Sequence, residues 1–203
     1  MRRSALAAAA VCIGMALAAT ASARVWNDSA GRVSFDSPSS WTTDVQRTTP
    51  DTIVLVGNAD QECFVLAVPN SGTSSASATR VRNSTQNAID NTAWEGLANA
   101  VSPMFPNRGA RVTDKTVDTS GFWPIQRANI SGAERPVMAA LISRPGMDIS
   151  AFCWSYGGPD ATATYETFFR SLSHPNDATW RAEIEAAAAT PAPAPTPAPT
   201  PAQ

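Results

Sequence analysis

The chain has 203 residues, 43% of them hydrophobic, with 15 basic against 17 acidic side chains and three cysteines. That mild balance excludes a nucleic-acid binder, which would carry a basic stripe, and a protein held to anionic membranes by charge alone. Both ends of the chain are unlike fold, and the roughly 150 residues between them (24–175) suit one domain large enough to bury a real core.

The first 23 residues have the pattern of a cleavable signal peptide of bacterial type. Arg2 and Arg3 form a short positive start, Leu6 to Ala19 is apolar, and Ala21-Ser22-Ala23 supplies the small-x-small site that a signal peptidase accepts. The apolar stretch is too short to span a bilayer, which takes about 20 apolar residues. Val11 precedes Cys12 where a lipoprotein signal wants a small residue, so the general secretory route is expected, with cleavage before Arg24 and no transmembrane segment afterwards. The expected location is therefore the periplasm or the exterior. Cleavage leaves 13 basic against 17 acidic residues.

The mature part opens with a hairpin pattern. Val25 and Trp26 precede a turn at Asp28 to Gly31, and Val33 and Phe35 alternate after it. Pro38 breaks the strand, Trp41 is a core candidate, and Thr43 to Arg47 extends again. Two strong strands follow, TIVLVGN (52–58) and ECFVLAVP (62–69), apolar enough to be covered on both faces. After a polar loop, one helix is predicted from an N-cap at Thr79 to Val101, with Val81, Ala88, Ile89, Thr92, Ala93, Leu97 and Ala100 as its apolar spacing. Pro103 stops it.

Three strand-like runs then form a meander: 111–119, 122–130 and 135–143. A fourth, Asp148 to Tyr156, places Phe152, Trp154 and Tyr156 on one face and Ala151 and Cys153 on the other. Gly157 to Asp160 ends it and caps a helix whose apolar face is Tyr165, Phe168, Phe169 and Leu172. A short helix, 176–189, carries Trp180 and Ile184 on one side. From Thr190 the chain reads TPAPAPTPAPTPAQ, and proline at every second position removes backbone donors and favours extended polyproline II over a packed core.

Successive strands joined by short turns, with helices between, imply an α+β fold: an antiparallel sheet of six to seven strands flanked by helices. Cys12 leaves with the signal segment. Cys63 and Cys153, both inside strand runs, are then most simply one disulfide in an oxidising compartment, closing a loop for which chain entropy gives about 4 kcal/mol.

The pieces Phe35-Asp36-Ser37-Pro38-Ser39-Ser40-Trp41 and Tyr165-Glu166-Thr167-Phe168-Phe169-Arg170-Ser171-Leu172 resemble the PsbP/Mog-like family over about Val25 to Leu172. The resemblance implies an α-β-α sandwich and a binding or assembly role, and it passes on no catalytic set. The Pro-Ala tail and the expected disulfide depart from the photosynthetic members, so a photosystem role is not implied.

Catalytic motifs are absent from the sequence. His174 is the single histidine, and a helix-end role suits it. No nucleophile elbow, Ser-x-x-Lys arrangement, phosphate loop or metal-binding spacing is present, so no cofactor or metal is expected. Asp114 and Asp118 share a strand face, as a solvated sheet surface requires. Two features could carry binding. The segment Phe122-Trp123-Pro124-Ile125 cannot bury all its large side chains on one strand face, and tryptophan is enriched at interface hot spots. Arginines 108, 111, 127, 135 and 144 could form an anionic-ligand pocket, since arginine favours bidentate contact with carboxylate or phosphate. The expectation is an exported, non-catalytic binding or interaction protein of the cell envelope that meets another envelope protein. The rival expectations are a small secreted hydrolase and a structural protein whose tail touches the cell wall.

Overall fold

The computed structural model describes residues 24–37, 40–46, 52–57, 60–101, 109–157 and 160–190. The expected signal segment, the Pro-Ala tail from Pro191, the turn at 47–51 and Arg108 lie outside them.

Strands β1 (Arg24–Asn27) and β2 (Ser34–Ser37) pair as the expected hairpin. Its turn is held by Asp28, whose carboxylate accepts the Nε–H of Arg32 at 2.6 Å and an Nη2–H at 3.1 Å. Gly31 sits at φ 67°, where glycine alone carries no Cβ penalty.

The main sheet is built from two antiparallel meanders. The first is β3 (Thr42–Gln46), β4 (Thr52–Val56) and β5 (Gln61–Pro69). The second is β6 (Arg111–Asp118), β7 (Ile125–Ser131), β8 (Val137–Arg144) and β9 (Met147–Ser155). They join along β5 and β9, so that among the described residues one seven-stranded sheet runs β3-β4-β5-β9-β8-β7-β6. The α+β class and the strand number agree with the sequence reading. Cys63 and Cys153 lie directly opposite across the joining pair, their Cα atoms 4.1 Å apart, and form the expected disulfide, essentially without exposure.

Period-2 alternation sends each strand's side chains to two cores, and this is why the apolar runs are continuous. On one face Cys63, Val65 and Ala67 of β5 meet Phe35 of the hairpin and Tyr165, Phe168 and Phe169 of α3 (Thr162–Ser171). The two motifs that carried the resemblance pack on each other here. Phe35 meets Phe168 edge-on at 5.4 Å, and Trp41 lies 6.4 Å from both Tyr165 and Phe168. A side chain at Gly57 would come within 2.7 Å of the Trp41 ring, so that close approach needs glycine. On the other face Phe64, Phe152 and Trp154 pack under Trp94 and Ala98 of α2 (Asn91–Val101). Helices on both faces give the α-β-α layering.

The predicted helix over 79–101 is two helices, α1 (Ala78–Ser84) and α2, and its N-cap is Ser77, whose hydroxyl accepts the Arg80 N–H at 3.3 Å. Hydroxyls of Ser84 and Thr85 bond back to Val81 and Arg82 carbonyls, ending α1. Gln126, 2% exposed, then satisfies the break itself: its amide donates to the carbonyls of Thr85 and Asn87 and accepts the N–H of Ile89. Asp90 starts α2 by accepting the Ala93 N–H at 2.7 Å. The apolar face shifts accordingly. Trp94 and Ala98 are buried, whereas Ala88, Thr92, Ala93 and Ala100 are exposed.

Helix α4 (Asp177–Ala189) lies at one end of the sheet against α1. Ile184 and Trp180 of α4, Ala78 of α1 and Trp123 of the turn before β7 form a third, small apolar cluster there.

Candidate functional site

A cavity of about 320 Å³ opens at this same end of the sheet. That is near the lower limit for small-ligand pockets. Its walls come from four separated parts of the chain. The turn from Asp118 to Ile125 supplies Phe122 and Trp123, β8 supplies its last residue Arg144, the end of α3 supplies Arg170 and Leu172, and α4 supplies Asp177 and Arg181.

Arg144 is the deepest of these groups, its side chain only 2% exposed. Its Nε–H and an Nη2–H reach the two carboxylate oxygens of Asp177 at 2.6 and 3.0 Å, and an Nη1–H reaches the Ser143 carbonyl at 3.1 Å. Its guanidinium carbon lies 4.3 Å from the centre of the Trp123 ring. Burial pushes its pKa down and the Asp177 carboxylate pulls it back. Three of its five N–H groups are thereby used.

Asp118 ties three elements together. Its carboxylate accepts from Arg127 of β7, from Arg170 of α3 at 3.0 Å, and from the Ser120 hydroxyl at 2.6 Å. Burial pushes this carboxyl up, but the Ser120 and arginine bonds outweigh it and hold the pKa at about 2. Arg181 and Arg82 stand differently. Their guanidinium carbons lie 4.4 and 4.8 Å from the centre of the same Phe122 ring, and Arg82 donates to the Phe122 carbonyl at 2.7 Å. Neither has a carboxylate partner among the described residues.

The predicted binding segment is thus at the site, with a corrected role. Trp123 and Ile125 are each 7% exposed, so they form the cavity wall and not a free surface, while Phe122 is half-buried. The predicted arginine set does not converge. Arg127 is occupied by Asp118 and Glu166, and Arg135 lies over the Tyr156 ring at 4.5 Å. Arg111 stands at the opposite end of the β6–β7 pair, its Nη1–H on the Ala110 carbonyl. Of the described members of that set, Arg111, Arg127, Arg135 and Arg144, only Arg144 lines the cavity. Arg170, Arg181 and Arg82 were missed, because each sits in a helix where an arginine on a solvated face is ordinary.

His174 lies between α3 and α4, and not at the helix C-terminus where the sequence placed it. Its ring stacks near Trp180 at 4.7 Å, and its Nδ1 accepts the Asn176 N–H at 3.1 Å, which requires that nitrogen to be unprotonated. Burial pushes its pKa down, against an upward pull from Asp177 and with a further downward push from Arg144. The unfolded chain therefore binds the proton first, so stability contributed here is present above the ordinary histidine range and is lost as pH falls through it. Denaturant unfolding between about pH 5 and pH 7 is expected to show this decline. His174→Asn, which keeps an acceptor in reach, is expected to flatten it. Parallel curves for the two proteins would dismiss His174 as the source.

Among the described residues no group of three or more His, Cys, Asp or Glu side chains could hold a metal ion, and no helix is long and apolar enough to cross a membrane. No family model and no curated protein sequence matches the chain. Its fold is similar to the solution structure of cyanobacterial PsbP (CyanoP) from Synechocystis sp. PCC 6803, at 14% identity and TM-score 0.50 over 82% of this chain and 98% of that one. A protein of Bacteroides thetaiotaomicron is similar more weakly, at 8% identity and TM-score 0.44 over 77% of this chain and 50% of that one. The likeness to CyanoP is one of fold, and it agrees with the α-β-α architecture expected from the two aromatic motifs.

Proposed function

We propose that this chain is an exported, non-catalytic binding protein of the bacterial cell envelope, a PsbP-like member that works through the end of the sheet where α1, α4 and the Phe122-Trp123 turn meet. The observation that carries the reading is the cavity there. It combines arginines with aromatic walls, and its two aspartates are engaged by arginines or by Ser120 instead of standing free as acids or bases. Export is supported by the N-terminal pattern and by the Cys63–Cys153 disulfide, which belongs in an oxidising compartment. The partner is another envelope protein, and contact with the cell wall is assigned to the Pro-Ala sequence that follows α4.

Producing the full 203-residue precursor in a secreting bacterial host tests export. The mature protein is expected outside the cytosol with Arg24 as its first residue and with Cys63 and Cys153 linked in one peptide by mass spectrometry. An intact, reduced protein in the cytosol would sink that half of the proposal. The binding half is tested by crosslinking to the envelope fraction, comparing wild type with Arg181→Glu. Arg181 is the better probe than Trp123, because Trp123 is buried and its loss would disturb folding. Equal crosslinking by both proteins removes this end of the sheet as the working surface.

A further inference from the structure

We infer that the cavity bounded by Phe122, Trp123, Arg144, Arg170 and Arg181 is a binding site for a single carboxylate carried on an aromatic or apolar body. The inference rests on the reading of the chain as a binding protein and adds the chemistry of what is bound.

Three guanidiniums line the cavity, those of Arg144, Arg170 and Arg181, against two carboxylates, those of Asp118 and Asp177. The lining is therefore one positive charge in excess, which an anion neutralises. The excess is localised. Arg144 and Arg170 already hold aspartates, whereas Arg181 has no carboxylate among the described residues and is exposed. It rests against Phe122, and Arg82 adds a second unneutralised guanidinium on the same ring. A guanidinium presents a planar fork that matches a carboxylate in two parallel hydrogen bonds.

The donors inside point the same way. Arg144 is almost wholly buried with two N–H groups not used by Asp177 or Ser143. Buried donors are nearly always satisfied, so unspent ones beside a cavity mark a place for an acceptor. The remaining wall is apolar, from Phe122, Ile125 and Leu172, and an aromatic or aliphatic body would lie against it. A volume of about 320 Å³ admits one ring and its acidic group, and not an extended chain.

A free small acid and the terminal carboxylate of a peptide share this chemistry. Phenylacetate stands for the first and N-acetyl-Gly-Phe for the second. Their controls are phenylacetamide, N-acetyl-Gly-Phe amide and phenethylamine. Calorimetric titration of the oxidised protein is expected to show saturable binding of one acid or both with Kd below about 1 mM. The amides and the amine are expected to bind at least about tenfold more weakly. Arg181→Gln, an exposed change that leaves the unfolding midpoint unchanged, is expected to weaken acid binding about tenfold or more, and Arg181→Lys to weaken it less. Added salt should weaken the acid and not the amide. Preference for the free acid assigns a small-molecule ligand, and preference for the peptide assigns a chain terminus. Equal binding of acid and amide overturns the carboxylate inference while leaving a binding cavity. No binding by any probe overturns the inference together with the cavity's role, and leaves the export result untouched.

Discussion

Replacing Cys63 and Cys153 together by alanine is expected to lower the free energy of unfolding by about 3–4 kcal/mol relative to the oxidised protein. The two cysteines are 90 positions apart and pair across β5 and β9, the one contact by which the two meanders become a single sheet. The closed loop contains α1, α2 and β6 to β8. Opening it returns that whole stretch to the unfolded ensemble with its freedom restored, and the entropic effect grows with loop length. The smaller side chains also thin the core beside Leu55, Ala140 and Tyr165, which adds a packing loss to the entropic one. Urea unfolding should show a lower midpoint and a steeper slope, because the denatured chain without the crosslink exposes more surface, and the thermal midpoint should fall by roughly 10 °C. Wild type unfolded in the presence of reductant should lose the entropic part alone and so fall between the oxidised protein and the double variant. A loss under about 1 kcal/mol would mean that the ladder between β5 and β9 holds the seam without the bond.

The disulfide also shows what the sequence could disclose. Cys63 and Cys153 are the two cysteines outside the expected signal segment, so their pairing followed from cysteine count and an oxidising compartment, and two-sided burial of the run at 62–69 followed from its continuous apolar character. The motifs Phe35…Trp41 and Tyr165…Leu172 carried a resemblance that implied an α-β-α sandwich, and the packing of the hairpin on α3 through these aromatic side chains is what the structure adds. What failed to show were the contacts made by single polar side chains from far along the chain. The break between α1 and α2 depends on Gln126, some forty positions away in sequence, and a helical period runs smoothly across Ser84 to Asp90 without it. Asp90 three residues before Ala93 was a cap signal that could have been taken. The cavity was hidden for the same reason. Asp118, Arg144, Arg170 and Arg181 come from β6, β8, α3 and α4, and only the strand order brings them to one end. Periodicity reports which face a residue takes on its own element, and says nothing of which distant element that face will meet.

The Arg144–Asp177 pair should behave asymmetrically when it is cut. Asp177→Ala is expected to cost about 3 kcal/mol or more, because it leaves a guanidinium that is 2% exposed without its counter-charge and with two donors unmet. Its removal also takes an acidic group from the first turn of α4, where it opposes the positive end of the helix dipole. Arg144→Met is expected to cost only about 1 kcal/mol. Asp177 is 21% exposed, so water and the N-terminal amides of α4 can take over its solvation, and the methionine can still lie on the Trp123 ring. Placing Arg144→Met on top of Asp177→Ala should then recover much of the loss, since no charge is left buried. The recovery, measured as the coupling in a double-mutant cycle by urea unfolding, is the test. Additive costs would mean that the pair is a surface ion pair in effect. A large coupling would show that α4 is fastened to the end of β8 by a charge the fold has buried, at the wall of the cavity to which an acidic ligand is assigned.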